Sequence, residues 1–133
     1  MADEFFLYVE DDPSSRLVMK LLIEKTLHTQ NYAIFENSEA FINRLQKLPM
    51  RPAIIMLDIH VPPLNGFQLL SLIRAEAGYA DTRVIALTAS VMSEEVEKLR
   101  SSGFDGAIGK PINLNTFPGL IRRILAGESV WQL

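Results

Sequence analysis

Glu10, Asp11 and Asp12 stand together directly after the apolar run Phe5–Val9, and a fourth acid, Asp58, stands directly after Ala53–Leu57. Thr88 follows Val84–Leu87 in the same way, and Lys110 lies just past the short run Gly106-Ala107-Ile108. Carboxylates brought close together repel one another and raise each other's pKa unless a cation joins them. A ligand set of oxygens without imidazole or thiolate selects a hard divalent ion, and an incomplete cage leaves room for waters and a phosphate, as Mg²⁺ prefers. With an ammonium and a hydroxyl opposite, such a set carries the charges that neutralise a phosphoryl group in transfer. Taken singly, acids at strand ends cap helices and turns. Asp12, next to Pro13, reads first as such a cap and second as a contributor of charge.

These residues can converge only if the apolar runs before them are neighbouring strands. Phe5–Val9, Ala53–Leu57 and Val84–Leu87 are apolar at nearly every position, the pattern of strands buried on both faces. Tyr32–Phe35 and Gly106–Ile108 add two weaker strands. Between them lie helical patterns. Leu17, Val18, Leu21, Leu22 and Leu27 recur at helical spacing as far as about His28; Ser38 and Glu39 open a second helix with Ala40, Phe41 and Leu45 on one side. Leu69, Leu70 and Ile73 mark a third helix, after the loop chemistry of Val61–Gly66. Ser93-Glu94-Glu95 starts the fourth, which ends in Lys98 and Arg100 with Gly103 at its C-terminal cap, and Phe117, Leu120, Ile121, Ile124 and Leu125 form the face of the fifth. The tail Gly127–Leu133 shows no element of its own.

Five strands alternating with five helices predict an α/β, doubly wound, flavodoxin-like fold: a five-stranded parallel sheet in the order 2-1-3-4-5 with helices on both faces. Such sheets bind ligands beyond the carboxyl ends of their strands, where Glu10, Asp11, Asp58, Thr88 and Lys110 all fall.

Composition narrows the classes. The 133 residues are 48% hydrophobic and 22% charged, which suits one globular domain spanning 1–133, with a core over about 4–126 and a short tail over 127–133. No cysteine is present, excluding disulfides and thiolate chemistry, and a net charge of −3 does not favour nucleic acid. The amino-terminal residues are acidic where a signal peptide is basic, and no run is long enough to cross a bilayer, so a cytoplasmic domain without membrane contact is expected. The two histidines, His28 and His60, lack metal-ligand spacing. A dehalogenase-type phosphatase needs a second Asp two residues after the first, where this chain has His60, and a P-loop needs Gly at 104 and Ser or Thr at 111, where it has Phe and Pro.

Four blocks in order carry a family resemblance: Tyr8-Val9-Glu10-Asp11-Asp12, Met56-Leu57-Asp58-Ile59 with Pro62 and Gly66 following, Ala86-Leu87-Thr88-Ala89, and Gly109-Lys110-Pro111. Over essentially its whole length the chain resembles the receiver domain of two-component response regulators. The resemblance implies that Asp58 is the phosphoacceptor, taking a phosphoryl group from a sensor histidine kinase or a phosphotransfer protein. It implies Mg²⁺ held by Glu10, Asp11, Asp58 and the backbone carbonyl of His60, with Thr88 and Lys110 on phosphoryl oxygens. Small Ala89 leaves the phosphate approachable, and Lys110-Pro111 resembles the family's cis peptide. His60 and Ser90 occupy positions that tune hydrolysis of the acyl phosphate; His60 is equally open to a reading as a loop histidine.

One position departs from the family. Where the family carries a switch aromatic three residues before the lysine, this chain has Ala107. Alanine has no rotamer to switch, so two readings stand: an active phosphoacceptor that signals through a downstream protein partner or onward phosphotransfer, and a phosphorylation-independent interaction module. From the length a stand-alone domain is expected, monomeric or forming a phosphorylation-dependent homodimer. Trp131 is expected to pack the tail back onto the domain.

Overall fold

Each apolar run lies in the middle of a sheet, because only there are both faces of a strand covered. In the computed structural model, which describes residues 4–90 and 92–133, the strands are β1 (Phe6–Val9), β2 (Tyr32–Phe35), β3 (Ile54–Asp58), β4 (Arg83–Thr88), β5 (Gly106–Gly109) and β6 (Val130–Gln132). The helices are α1 (Pro13–Thr26), α2 (Phe41–Gln46), α3 (Gly66–Ala75), α4 (Ser93–Ser101) and α5 (Phe117–Leu125). The sheet order is β2-β1-β3-β4-β5-β6, with every pair parallel. One row across it reads Phe35, Val9, Leu57, Ala86, Ala107, Trp131.

Two cores follow from the alternation of side chains along each strand. One face buries Leu7, Val9, Ile55, Leu57, Ala86 and Ala107 against Phe41 and Leu45 of α2, Leu69, Leu70 and Ile73 of α3 and Leu99 of α4. The other buries Phe6, Tyr8, Met56 and Leu87 against Met19, Leu22 and Ile23 of α1 and the Phe117, Leu120, Ile121 and Ile124 stripe of α5. Among the described residues no helix is long and apolar enough to cross a membrane.

Three expectations need correcting. The tail does form an element: β6 extends the expected order by a sixth strand beyond β5. Three residues are too few to show a period, and β6 exists only because Gly106 lets it come close. A Cβ at Gly106 would fall far inside contact distance of the Val130 carbonyl oxygen. Trp131 does pack back, half-buried, with the Arg100 guanidinium 4.6 Å from its ring.

In α1 the buried residues are Met19, Leu22, Ile23 and, past its end, Leu27, whereas Leu17, Val18 and Leu21 are exposed. Apolar residues at 17–19 and 21–23 surround the helix too broadly for spacing alone to choose the inward side. Finally, α2 starts at Phe41, after Ala40 in left-handed backbone (φ 47°). Ser38 is not its cap: it is buried, and its hydroxyl accepts from the Leu64 N–H (2.7 Å) and donates to the Leu64 carbonyl (2.9 Å). The residue that looks like a helix start thus fastens the loop between β3 and α3.

Candidate functional site

At the carboxyl edge of the sheet the strands deliver the expected side chains to one place. β1 runs out into Glu10, which is 1% exposed, while Asp11 beside it is exposed. Asp58 is the last residue of β3 and half-buried; Thr88 is the last of β4 and buried. The ladder continues one residue past β5, where the Lys110 N–H donates to the Thr88 carbonyl (2.8 Å), and this sets the lysine side chain over the edge. Its Nζ donates to Asp58 Oδ2 (2.8 Å) and to Glu10 Oε1 (2.5 Å). Glu10, Asp11 and Asp58 can each offer a carboxylate oxygen within 4.8 Å of the others.

Charge crowding shows in the protonation equilibria. Burial pushes the Glu10 carboxyl above its ordinary range, and the neighbouring Asp58 adds to this against the pull of the Lys110 and Tyr8 donors. Burial also acts upward on Asp58, but hydrogen bonds from Glu10, Lys110 and the His60 amide outweigh it and hold Asp58 below the usual carboxylate range. For Lys110, burial acts downward and the two carboxylates overcome it, so the ammonium is held above its ordinary value. One ammonium among three carboxylates leaves an excess of negative charge. Oxygen donors in that arrangement fit a divalent cation of the Mg²⁺ type.

The surrounding residues divide by what they touch. His60 donates its backbone N–H to Asp58 Oδ1 (2.9 Å), and its imidazole is exposed, with Nε2 3.9 Å from Glu95 Oε1. Thr88 Oγ1 accepts from the Ser90 N–H (3.0 Å), Ala89 is exposed beside it, and Lys110-Pro111 is cis, as is Pro62-Pro63. Asp12 is the α1 cap, accepting from the Ser15 N–H and hydroxyl (both 2.8 Å). Ala107 is buried, and Phe104, in the same cluster, meets Phe67 edge-on at 5.8 Å.

Sequence reasoning missed two supports of the edge. Arg16 donates to the carbonyls of Glu10 (3.1 Å) and Asp11 (2.7 Å), fixing the turn that presents both acids. Tyr8, buried in β1, donates its hydroxyl to Glu10 Oε1 (2.6 Å). A signal for the second was available: residues two apart on a strand share a face, and a tyrosine inside an apolar strand needs a partner for its hydroxyl.

A doubly wound parallel sheet with an acidic, lysine-bearing pocket at its carboxyl edge has the charges to hold a cation and a phosphoryl group, and comparison with known proteins says which class of domain it is. The response regulator receiver domain family matches residues 6–122, and the chain belongs to it. Receiver domains are the phosphoacceptor modules of two-component systems. Over 122 residues the chain is 26% identical to the signal transduction histidine-protein kinase BarA of Escherichia coli K12, covering 92% of this chain and 13% of that protein. It is 30% identical over 125 residues to a nitrate/nitrite response regulator protein homolog of Haemophilus influenzae, covering 93% of this chain and 58% of the relative. The chain therefore spans between about an eighth and three-fifths of the length of these relatives. Among solved structures, the receiver domain of a sensor histidine kinase from Pseudomonas aeruginosa, with magnesium coordinated in its active site cleft, superposes with TM-score 0.80 at 21% identity over 92% of this chain and 98% of that one. A chemotaxis response regulator of Vibrio cholerae gives TM-score 0.79 at 21% identity, over 91% of this chain and 98% of its own. At that identity both likenesses speak for the fold.

Proposed function

We propose that this receiver domain accepts a phosphoryl group on Asp58 from the phosphohistidine of a sensor histidine kinase or a phosphotransfer protein. The observation that carries the reading is Asp58 at the end of β3, with the Lys110 ammonium 2.8 Å from Oδ2 and Glu10 and Asp11 within reach of a shared cation. A carboxylate oxygen of Asp58 attacks phosphorus. The P–N bond breaks with its electron pair returning to the donor imidazole, and an acyl phosphate remains. Lys110 moves from carboxylate oxygen to phosphoryl oxygen, and the Thr88 hydroxyl donates to another. Glu10, Asp11, Asp58 and the His60 carbonyl are the residues that would hold Mg²⁺. Bound there, it supplies positive charge against the phosphoryl oxygens. Output follows through altered binding of a downstream protein or onward phosphotransfer.

The test is incubation with acetyl phosphate and Mg²⁺, scored on a phosphate-affinity gel. A shifted, hydroxylamine-labile species is expected for the wild-type chain and none for Asp58→Asn, whose cooperative unfolding should persist. Label on that variant, or none on the wild type, overturns the assignment. One observation favours a second reading, a phosphorylation-independent interaction module: Ala107 is buried with no side chain able to turn. An amide NMR spectrum that beryllofluoride leaves unchanged while Mg²⁺ is bound would support that module instead.

A further inference from the structure

Tyr8 points to a layer beneath the site that the pattern of site residues does not include. It lies in the middle of β1, 1% exposed, with its ring among the side chains of α1 and α5. Glu10 follows β1 directly, its N–H continuing the ladder to the Phe35 carbonyl (2.9 Å), so two residues past Tyr8 it faces the same way, and the ring carries its hydroxyl along the strand toward the carboxyl edge. There it meets Glu10 Oε1 at 2.6 Å, the same oxygen that accepts from Lys110 Nζ at 2.5 Å. Glu10 Oε2 is engaged more loosely, accepting from the Asp12 N–H at 3.3 Å.

This division of labour suits a glutamate in particular. A glutamate side chain has one more rotatable bond than an aspartate and swings accordingly. Two donors converging on one oxygen from opposite sources, one inside the core and one over the edge, fix where the other oxygen points. The hydroxyl is the rigid partner of the two. It sits on a ring packed in the core, whereas Lys110 sits on a flexible stem and is shared with Asp58. Outer partners of this kind orient the ligating group, and their removal typically weakens a metal site about 10- to 100-fold.

We propose that Tyr8 is a positioning residue: its buried hydroxyl holds Glu10 Oε1 so that Oε2 faces the cation shared with Asp11 and Asp58. This rests on the reading of the acidic cluster as a Mg²⁺ site, and it adds a residue of strand β1 that acts on the cation only through Glu10.

The test is Mg²⁺ titration of the full chain, followed by calorimetry and by the amide resonances of residues 10–16, for wild type, Tyr8→Phe, Glu10→Asp and the double variant. Tyr8→Phe removes one oxygen and keeps the ring, so its unfolding should remain cooperative. Its Mg²⁺ affinity is expected to fall about tenfold. In the Glu10→Asp background the carboxylate is too short to reach the hydroxyl, and Tyr8→Phe should there change affinity less than twofold. Equal affinities for wild type and Tyr8→Phe would overturn the proposal, and so would the same loss in both backgrounds, which would make Tyr8 a packing residue only. Should the wild-type chain bind no Mg²⁺, the cation reading and the Tyr8 proposal fall together, whereas failure of Tyr8 alone leaves wild-type binding and Asp58 phosphorylation intact.

Discussion

Gly106→Ala tests the sixth strand without touching the site. The added methyl has nowhere to go, because its position is occupied by the Val130 carbonyl oxygen and lies 3.0 Å from the Val130 nitrogen. Both neighbours are backbone, so relief requires that β6 leave β5. The loss is then bounded by what β6 contributes. Val130 is 1% exposed, and burying a valine is worth about 1.5–3 kcal/mol. The Arg100 contact on Trp131 adds about 0.5–1 kcal/mol. A destabilisation of about 3 kcal/mol is expected, roughly 10 °C in melting temperature for a domain of this size. Trp131 is the single tryptophan, so its emission reports β6 directly while circular dichroism reports the whole domain. Urea unfolding should show a lowered midpoint, and the native emission should shift to the red. The decisive comparison is a cycle with a chain lacking residues 128–133, in which Gly106→Ala should change stability by under about 1 kcal/mol. An unchanged midpoint and emission for Gly106→Ala in the full chain would refute the reasoning, as would an equal loss in the shortened one.

Two further perturbations read the charges at the edge. Lys110→Ala removes the ammonium from buried Glu10, which keeps its Tyr8 donor, and without divalent cation it should lower unfolding free energy by about 1–3 kcal/mol, while the variant still accepts phosphate; an unchanged urea midpoint would contradict the pairing. Lowering pH from neutral toward the unfolded value of Glu10, without divalent cation, should raise the contribution of Glu10 to the stability of the domain. Glu10 is held above its unfolded value, so the folded state takes up protons first, and Glu10→Gln should flatten that rise. Asp58 acts in the opposite sense, its stabilisation being present above its unfolded value and lost as pH falls through its depressed folded one; Lys110 contributes below its unfolded value and ceases to as pH climbs through its raised one. A stability difference between wild type and Glu10→Gln that does not change with pH would show that the cluster does not hold Glu10 above its unfolded value.

The central strands and the site were legible in the sequence for one shared reason. A strand covered on both faces must be apolar throughout, so β1, β3 and β4 announce themselves, and the first polar residue after each is at the carboxyl edge. Parallel topology then brings Glu10, Asp58, Thr88 and Lys110 together without further information. What was not legible depends on partners distant in sequence. Ser38 looks like a cap because caps are local, yet its hydroxyl serves Leu64, 26 residues away. The inward side of α1 is chosen by the sheet and α5, not by a helix apolar on several sides at once.

Ala107 and Trp131 show the same dependence at the place where it bears on signalling. Read alone, Ala107 is a loss, an aromatic missing from the strand before the lysine. In the sheet it is the in-register neighbour of Trp131, and the two side chains share one face and one hydrophobic cluster. Small residues along β5 and an aromatic in the tail are therefore parts of one arrangement: Gly106 admits the strand, Ala107 lies beside its tryptophan, and Arg100 of α4 covers the indole. The aromatic group next to β5 comes from beyond α5 rather than from β5 itself. Its position is tied to the carboxyl edge through the ladder, since Ile108 pairs with Gln132 one residue on and Gly109 pairs with Thr88.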